Sequence, residues 1–314
     1  MKIVIFNPKD SFTLDQQKQL SSLASVEYTK TREALSVDEL LNMAKDADII
    51  GCDPDPLGGF EKAKEKLSKI IESLPNLKGL CLSTTSFGWV DLDLCKKRKL
   101  PVSNVPGYSK ESVAEQAIAF LLGASKRIFI SDRKTQQNKY ELIQGSELKG
   151  KTLGIIGLGS IGSATAKLAK GIGMRVIAFN RTKKKMAGVE MMSLDELLKQ
   201  SDAISLHTTH ETANNHMIGK AQIAKMKKGV IIINTVDREL VDEDAMAEAL
   251  KSGKVDTYVY EGEDLVHTPL AKLDNAIGFK GFAWFTKEAL ENLYQIWISN
   301  LVALAKAKPQ NRVA

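Results

Sequence analysis

Short apolar runs alternate with longer stretches of helical spacing along most of this chain. Ile3-Val-Ile-Phe-Asn7 reads as a strand. A polar helix from about Asp15 follows, then Val26-Glu-Tyr-Thr29 and a helix near Ser36 to Ala44. Ala47-Asp-Ile-Ile-Gly-Cys52 predicts another strand, Glu61 to Leu74 a helix, and Leu77 to Leu82 a further strand. Strand and helix in turn argue for parallel sheets with helices on their faces, an α/β fold. The second half repeats the pattern. Helices are predicted at Asp195 to Lys199, Gln222 to Met226 and Glu243 to Lys251. Strands are predicted at Ala203 to Leu206, Val230 to Asn234, Val255 to Tyr260 and Ala276 to Phe279.

Between the halves, Pro101-Val-Ser-Asn-Val-Pro106-Gly107-Tyr108 is a punctuated crossover. Ser109 can cap a helix that Ala117 to Ala124 continues, and its long apolar face predicts an interdomain or interface helix. Residues 131–149 are polar. A last amphipathic helix, Lys287 to Lys306, carries Leu290, Leu293, Ile296, Trp297, Leu301 and Leu304 and is expected to pack back onto the first domain. The predicted division is 1–100 plus 287–314 as one domain and 101–286 as the other.

One stretch organises the second domain. Leu153 to Ile156 is a buried strand in pattern; Gly157, Gly159 and Gly162 then form G-x-G-x-x-G, and an Ala- and Leu-rich helix follows. Gly157 suits a tight turn, Gly159 lets backbone approach a pyrophosphate, and Gly162 lets the helix lie close to the strand. Ser160 and Ile161 open the helix, whose free N–H groups and dipole favour phosphate. A second strand, Met174 to Phe179, stands where a βαβ unit needs it.

In an open α/β sheet, ligands bind outside the carboxyl ends of the strands. The residues there are Gly157 to Gly162, Asn180-Arg181-Thr182, His207-Thr208-Thr209-His210, Thr235-Val236-Asp237-Arg238, Glu261-Gly-Glu263-Asp264 and Lys280-Gly281. About twenty residues on from the glycine loop, NAD enzymes place an acid on the ribose 2′-hydroxyl. Here Asn180 is neutral, and Arg181 and Thr182 stand beside it with Lys183-Lys184-Lys185 behind. A 2′-phosphate suits that set, because guanidinium matches phosphate oxygens. NADP is therefore preferred over NAD; the alternative is that Arg181 only stacks on the adenine and both bind.

Composition adds limits. With 314 residues, 43% of them hydrophobic, the chain has material for two cores. The net charge of +6 comes from scattered lysines, so a nucleic-acid partner is not expected. Cys52, Cys81 and Cys95 have no metal-ligand spacing, and no metal is expected. The chain opens directly on a strand and has no long apolar span, so no membrane is expected and a cytoplasmic location is.

From Leu77 onward the sequence resembles the D-isomer-specific 2-hydroxyacid dehydrogenases. The matching stretches include Gly88-Trp-Val-Asp91, Pro101 through Glu115, Glu147 through Gly157, Ile233-Asn-Thr235, Leu240-Val-Asp-Glu-Asp-Ala245 and Leu273-Asp-Asn275. The resemblance implies two doubly wound parallel-sheet domains, a flavodoxin-like substrate domain plus a Rossmann cofactor domain, with a cleft between them, and a homodimer. It implies cofactor contacts at His207, Thr208, Thr209, Asn214, Thr235, Val236 and Glu261, the last near the nicotinamide carboxamide. Thr209 stands where the family prefers proline and Asn214 where it prefers threonine.

The family uses an arginine on the substrate carboxylate, a histidine as acid/base and a glutamate that tunes it. None is in place. Val236 and Asp237 follow Asn234-Thr235, and Arg238 comes one place late. Gly281 holds the histidine's position, with Lys280 before it. Glu263 and Asp264 lie in a shortened loop. The candidate catalytic set is thus Lys280, Asp237, Arg238 and Glu263, with Lys280 as substitute acid/base if burial lowers its affinity for a proton. The alternatives are a lysine exposed on a loop and an Arg238 paired with a carboxylate; His210 and His267 rank below Lys280. In the substrate domain Thr84, Thr85, Ser86 and Phe87 replace a glycine-rich turn. Trp89, Phe87, Trp284 and Phe285 line an apolar cleft or pack between domains. Asp53 and Asp55, with Asp237, make a poor receptor for a plain 2-oxo acid.

Two function classes follow. One is an NAD(P)-dependent oxidoreductase with rebuilt catalytic groups and a non-standard hydroxy or oxo small-molecule substrate, possible redox-neutral chemistry included. The other is a non-catalytic NAD(P)-binding sensor.

Overall fold

The computed structural model describes residues 1–209, 212–262 and 264–314, with Thr212 described by its backbone alone. The chain forms two compact units, Met1–Ser109 with Lys287–Ala314, and Lys110–Thr286.

The first unit holds strands β1 (Lys2–Pro8), β2 (Ser25–Thr29), β3 (Ile49–Cys52), β4 (Gly79–Leu82) and β5 (Val102–Ser103) in the order β2-β1-β3-β4-β5, all parallel. This is the flavodoxin-like order. Strand alternation divides its core. Val4 and Phe6 face α2 (Val37–Ala44) and α3 (Phe60–Ser73) through Leu40, Leu67 and Ile70; Ile3 and Ile5 face α1 (Leu14–Ser21) and the C-terminal helix, Lys287–Ala305. That helix buries Leu293, Trp297 and Leu301, and the Trp297 indole N–H donates to the Cys81 carbonyl at 3.0 Å. A short helix α4 (Leu92–Lys97), capped by Asp91, leads to β5. Because β5 pairs with β4, residues 101–109 lie in this unit, whereas the sequence pattern put them in the other. Trp89 packs in this unit's core and does not line a cleft.

The second unit holds α5 (Lys110–Ser125), α6 (Ile128–Gln136), β6 (Thr152–Ile156), α7 (Ser160–Gly171), β7 (Arg175–Phe179), β8 (Glu190–Met191), α8 (Leu194–Gln200), β9 (Ala203–Leu206), α9 (Lys220–Lys225), β10 (Val230–Asn234), α10 (Glu243–Lys251), β11 (Val255–Glu261) and β12 (Ala276–Phe279); the C-terminal helix of the first unit is then α11. Its sheet, in the order β12-β11-β10-β9-β6-β7-β8, is parallel throughout. Helices α5 and α7 cover one face; α8, α9 and α10 cover the other. The apolar face of α5, expected at an interface, instead packs Ala117, Phe120 and Leu121 on this sheet with Ile155, Ile233 and Val259. Helix α6 begins before the polar stretch 131–149 and runs into it.

Candidate functional site

Strand register aligns the second unit's carboxyl edge. Phe179 pairs with Ile156, Ile156 with Leu206, Leu206 with Asn234, Asn234 with Tyr260, and Glu261 with Phe279. The residues that step off these ends are Asn180, Gly157, His207, Thr235, Gly262 and Lys280, so one edge collects the chemistry-bearing loops.

The glycine loop has the geometry its spacing predicts. Gly157 has φ +99°, and a Cβ there would lie 2.6 Å from the His207 carbonyl group. A Cβ on Gly162 would lie 2.1 Å from the Gly157 oxygen. At Gly159 nothing lies within 4 Å of a Cβ position. That open space is at the N-cap of α7, which has no side-chain cap, so the first-turn N–H groups of Ser160, Ile161 and Gly162 lack one. Two buried polar atoms nearby, His207 Nδ1 and Thr235 Oγ1, also have no hydrogen-bond partner. An open cradle above free N–H groups, with two orphaned polar atoms on adjacent strands, fits a dinucleotide.

His207 takes a hydrogen bond between Nε2 and Ser205 Oγ at 2.9 Å, and burial of the imidazole pushes its pKa down to about 4. The ring is therefore neutral at physiological pH. The unfolded chain binds that proton near 6.5 and the folded chain does not, so this contribution is intact above 6.5 and fades as pH falls toward 4. Urea unfolding at stepped pH is expected to show up to about 3 kcal/mol lost over that window. His207→Gln should remove this part of the slope; an unchanged slope would refute the assignment.

Asn180 is committed locally. Its Oδ1 accepts from the Leu158 N–H at 2.9 Å, and its Nδ2 donates to the Thr182 carbonyl and hydroxyl at 2.8 and 3.0 Å. It thus ties the glycine loop to the loop after β7 and leaves Arg181, Thr182 and Lys183 to Lys185 exposed. Thr208 is half-buried and Thr209 exposed; Asn214 Nδ2 donates to the Thr209 carbonyl at 2.9 Å. His210 lies outside the described residues.

The expected catalytic residues are not gathered. Arg238 belongs to the protein's own framework. Its Nε and Nη2 grip the two Glu243 oxygens at 2.6 and 2.7 Å, Nη1 donates to the Asp264 carbonyl, and the guanidinium lies 5.7 Å from the Tyr260 ring centre. Its carboxylate partner is thus Glu243, not Asp237. Asp237 and Lys280 are exposed and leave strands separated by β11, roughly 10 Å apart at the strand ends. The burial invoked for Lys280 is absent within this unit. Glu263 lies outside the described residues. Asn234, fully buried, shapes the turn: its Oδ1 accepts from the Val236 N–H at 3.0 Å and its Nδ2 donates to the Tyr258 hydroxyl at 3.0 Å.

Glu261 has a role the sequence does not show. Its Oε1 accepts from the Phe282 and Ala283 N–H groups at 3.1 and 2.9 Å, so it anchors the loop that follows β12. Burial raises its carboxyl pKa against those two bonds. This loop exposes Phe282, Trp284 and Phe285.

In the first unit, Thr84 and Thr85 turn their hydroxyls inward. Thr84 Oγ1 donates to the Ser86 carbonyl at 2.7 Å and accepts from the Trp89 indole at 3.0 Å; Thr85 Oγ1 donates to the Val105 carbonyl at 2.7 Å. These bonds hold the loop; Thr84 is half-buried, and Thr85, Ser86 and Phe87 are exposed. The carboxyl edge of this sheet instead gathers Asn7, Asp53 and Ser83. Sequence reasoning missed Asn7 and Ser83, though each stands at a strand end.

A family model described as D-isomer specific 2-hydroxyacid dehydrogenase, NAD binding domain, matches residues 118–278. The chain is 34% identical to a hydroxypyruvate reductase of Blautia hydrogenotrophica over an alignment of 340 residues, which covers 100% of this chain and 99% of that protein. It is 36% identical over 252 residues to a D-3-phosphoglycerate dehydrogenase of Archaeoglobus fulgidus, covering 77% of this chain and about half, 48%, of that longer protein. Among solved structures, an acyclic imino acid reductase in complex with NADPH and D-Arg superposes with a TM-score of 0.86 at 26% identity over 100% of both chains. Two parallel-sheet units, the glycine cradle and these matches agree: the chain belongs to the D-isomer specific 2-hydroxyacid dehydrogenase family, a family of NAD(P)-dependent oxidoreductases.

Proposed function

We propose that this oxidoreductase prefers NADP(H) and acts on a hydroxy or oxo compound, or on the imine of one, other than a plain 2-oxo acid. The observation that carries this reading is the turn after β10. Val236 and Asp237 occupy it, and Arg238 is spent on Glu243, so no guanidinium there receives a substrate carboxylate. The similar imino acid reductase bound to NADPH supports both the cofactor preference and a nitrogen-bearing substrate.

When bound, the cofactor supplies or accepts the hydride. The chain's part is to hold it: the N–H groups at Gly159 to Gly162 for the pyrophosphate, Arg181 and Thr182 for a 2′-phosphate, and His207, Thr208, Thr209, Asn214, Thr235, Val236 and Glu261 around the remainder. Lys280, which leaves β12 at this edge, is the proposed source of the proton. The first unit holds the substrate. A homodimer is in keeping with Leu122, Ile128, Tyr140 and Leu142, which are exposed on one unit. A cytoplasmic location suits three unbridged cysteines, and no helix among the described residues is long and apolar enough to cross a membrane.

Steady-state assays with NADPH and a panel of 2-oxo acids, with and without ammonium, test the substrate reading. Glyoxylate and hydroxypyruvate are expected to be reduced poorly without ammonium; efficient reduction of either without it would contradict the proposal. Arg181→Ala is expected to weaken NADPH binding about ten- to a hundredfold, the worth of a charge-assisted bond, and NADH binding little. Equal losses for both would reduce Arg181 to adenine stacking.

A further inference from the structure

We infer that the carboxyl edge of the first unit's sheet, centred on Asp53, receives a positively charged side-chain nitrogen of the substrate, a guanidinium or an alkylammonium. This rests on the reading of the chain as an oxidoreductase of a non-standard substrate, and deepens it.

Three strands far apart in sequence build the site. Asn7 is the sixth residue of β1, Asp53 follows β3, and Ser83 follows β4. Ser83 Oγ donates to Asp53 Oδ2 at 2.8 Å, Asn7 Nδ2 approaches the same oxygen at 3.4 Å, and the Asp55 N–H donates to Oδ1 at 3.1 Å. All three donors are neutral. The carboxylate is thus held in place, with no opposite charge bonded to it. Burial raises its pKa, with Asp55 adding to that effect, as expected of an anion short of a counter-charge.

Asn7 supplies an independent observation. It is 1% exposed and its Oδ1 has no partner, while its amide lies against Asp53. An orphaned buried acceptor is costly, and this one belongs to the amide whose Nδ2 lies against Asp53, a second acceptor. Both favour a ligand rich in N–H donors. A guanidinium has five in a planar fork, which can serve more than one acceptor.

The neighbouring charges agree. Asp55 is exposed and adds negative potential. Arg32 is the cation within reach, but it is exposed to screening, and its Nη2 donates to the Tyr294 hydroxyl at 2.6 Å and Ser11 Oγ at 3.1 Å. Tyr108 is also within electrostatic reach of Asp53 and brings no positive charge. Asp53 and Asp55 would repel the carboxylate beside an α-nitrogen. A side-chain cation carries no such neighbour, which selects it over the α-nitrogen.

Calorimetric titration with D-arginine and with uncharged D-citrulline, each with and without NADPH, tests the inference. The wild-type chain is expected to bind D-arginine about tenfold or more tightly than D-citrulline. Asp53→Asn should abolish that preference while NADPH binding and melting temperature stay at wild-type values; Asp53→Glu should keep part of it. Equal binding of the two probes, binding of neither, or a preference that survives Asp53→Asn would overturn the inference. NADPH titration is read separately. A chain that prefers D-arginine but fails to bind NADPH would defeat the proposed function and leave this site standing.

Discussion

Gly159→Val is expected to abolish dinucleotide binding and leave the fold almost untouched. The backbone at Gly159 has φ −77° and ψ −158°, which any residue adopts, and its Cβ position is open. The substitution should therefore cost only about 1 kcal/mol, the scale of an N-cap exchange. Its methyl groups would fill the space over the α7 N-terminus, and NADPH affinity is expected to fall at least about a hundredfold, near 3 kcal/mol. Gly162→Ala should do the opposite. Its Cβ would meet the Gly157 carbonyl oxygen at 2.1 Å, so strand and helix must separate. A loss of about 3 kcal/mol in stability is expected, with binding lost as a consequence. Melting temperature and NADPH titration on the two variants separate the roles. Normal NADPH affinity in Gly159→Val would mean that the cradle is not the phosphate site.

Arg238→Ala is expected to destabilise the second unit by roughly 2–3 kcal/mol, because it leaves Glu243 without its counter-charge in a site where both side chains are about four-fifths covered. Arg238→Lys should recover little, since an ammonium cannot grip both carboxylate oxygens as the guanidinium does. Replacing both partners, Arg238→Met with Glu243→Met, should return stability to within about 1 kcal/mol of wild type, the residue being the lost bond to the Asp264 carbonyl. Urea unfolding of the singles and the double gives the coupling. A catalytic Arg238 would behave otherwise: Arg238→Lys would unfold like wild type and lose turnover alone.

The architecture was legible because strand alternation and helical spacing are local signals. The run Ile3 to Phe6 announces a strand buried on both faces, and the structure assigns its alternate residues to two separate helix layers. The glycine loop was legible because each glycine answers a different steric demand within a few residues. Side-chain commitments were not. Arg238 falls one place past the family's arginine, and nothing in the sequence says that Glu243, the first residue of α10, will claim it. Thr84 and Thr85 read as hydroxyls offered to a ligand, but in the fold they donate to the Ser86 and Val105 carbonyls. Asn180 reads as a neutral substitute for an acid; in the fold its amide also ties two loops together. Asn7, Asp53 and Ser83 stand 30 and 46 residues apart, and only the parallel pairing of three strands brings them to one point.

The most direct measurement is equilibrium titration of the purified chain with NADPH and with NADH, following nicotinamide fluorescence, together with identification of any nucleotide released on denaturation. On the proposed preference for NADP(H), NADPH should bind clearly more tightly than NADH, through Arg181 and Thr182 beside the neutral Asn180. Absence of binding by either nucleotide would contradict the dinucleotide site at the carboxyl edge of the second sheet, and with it the proposed activity.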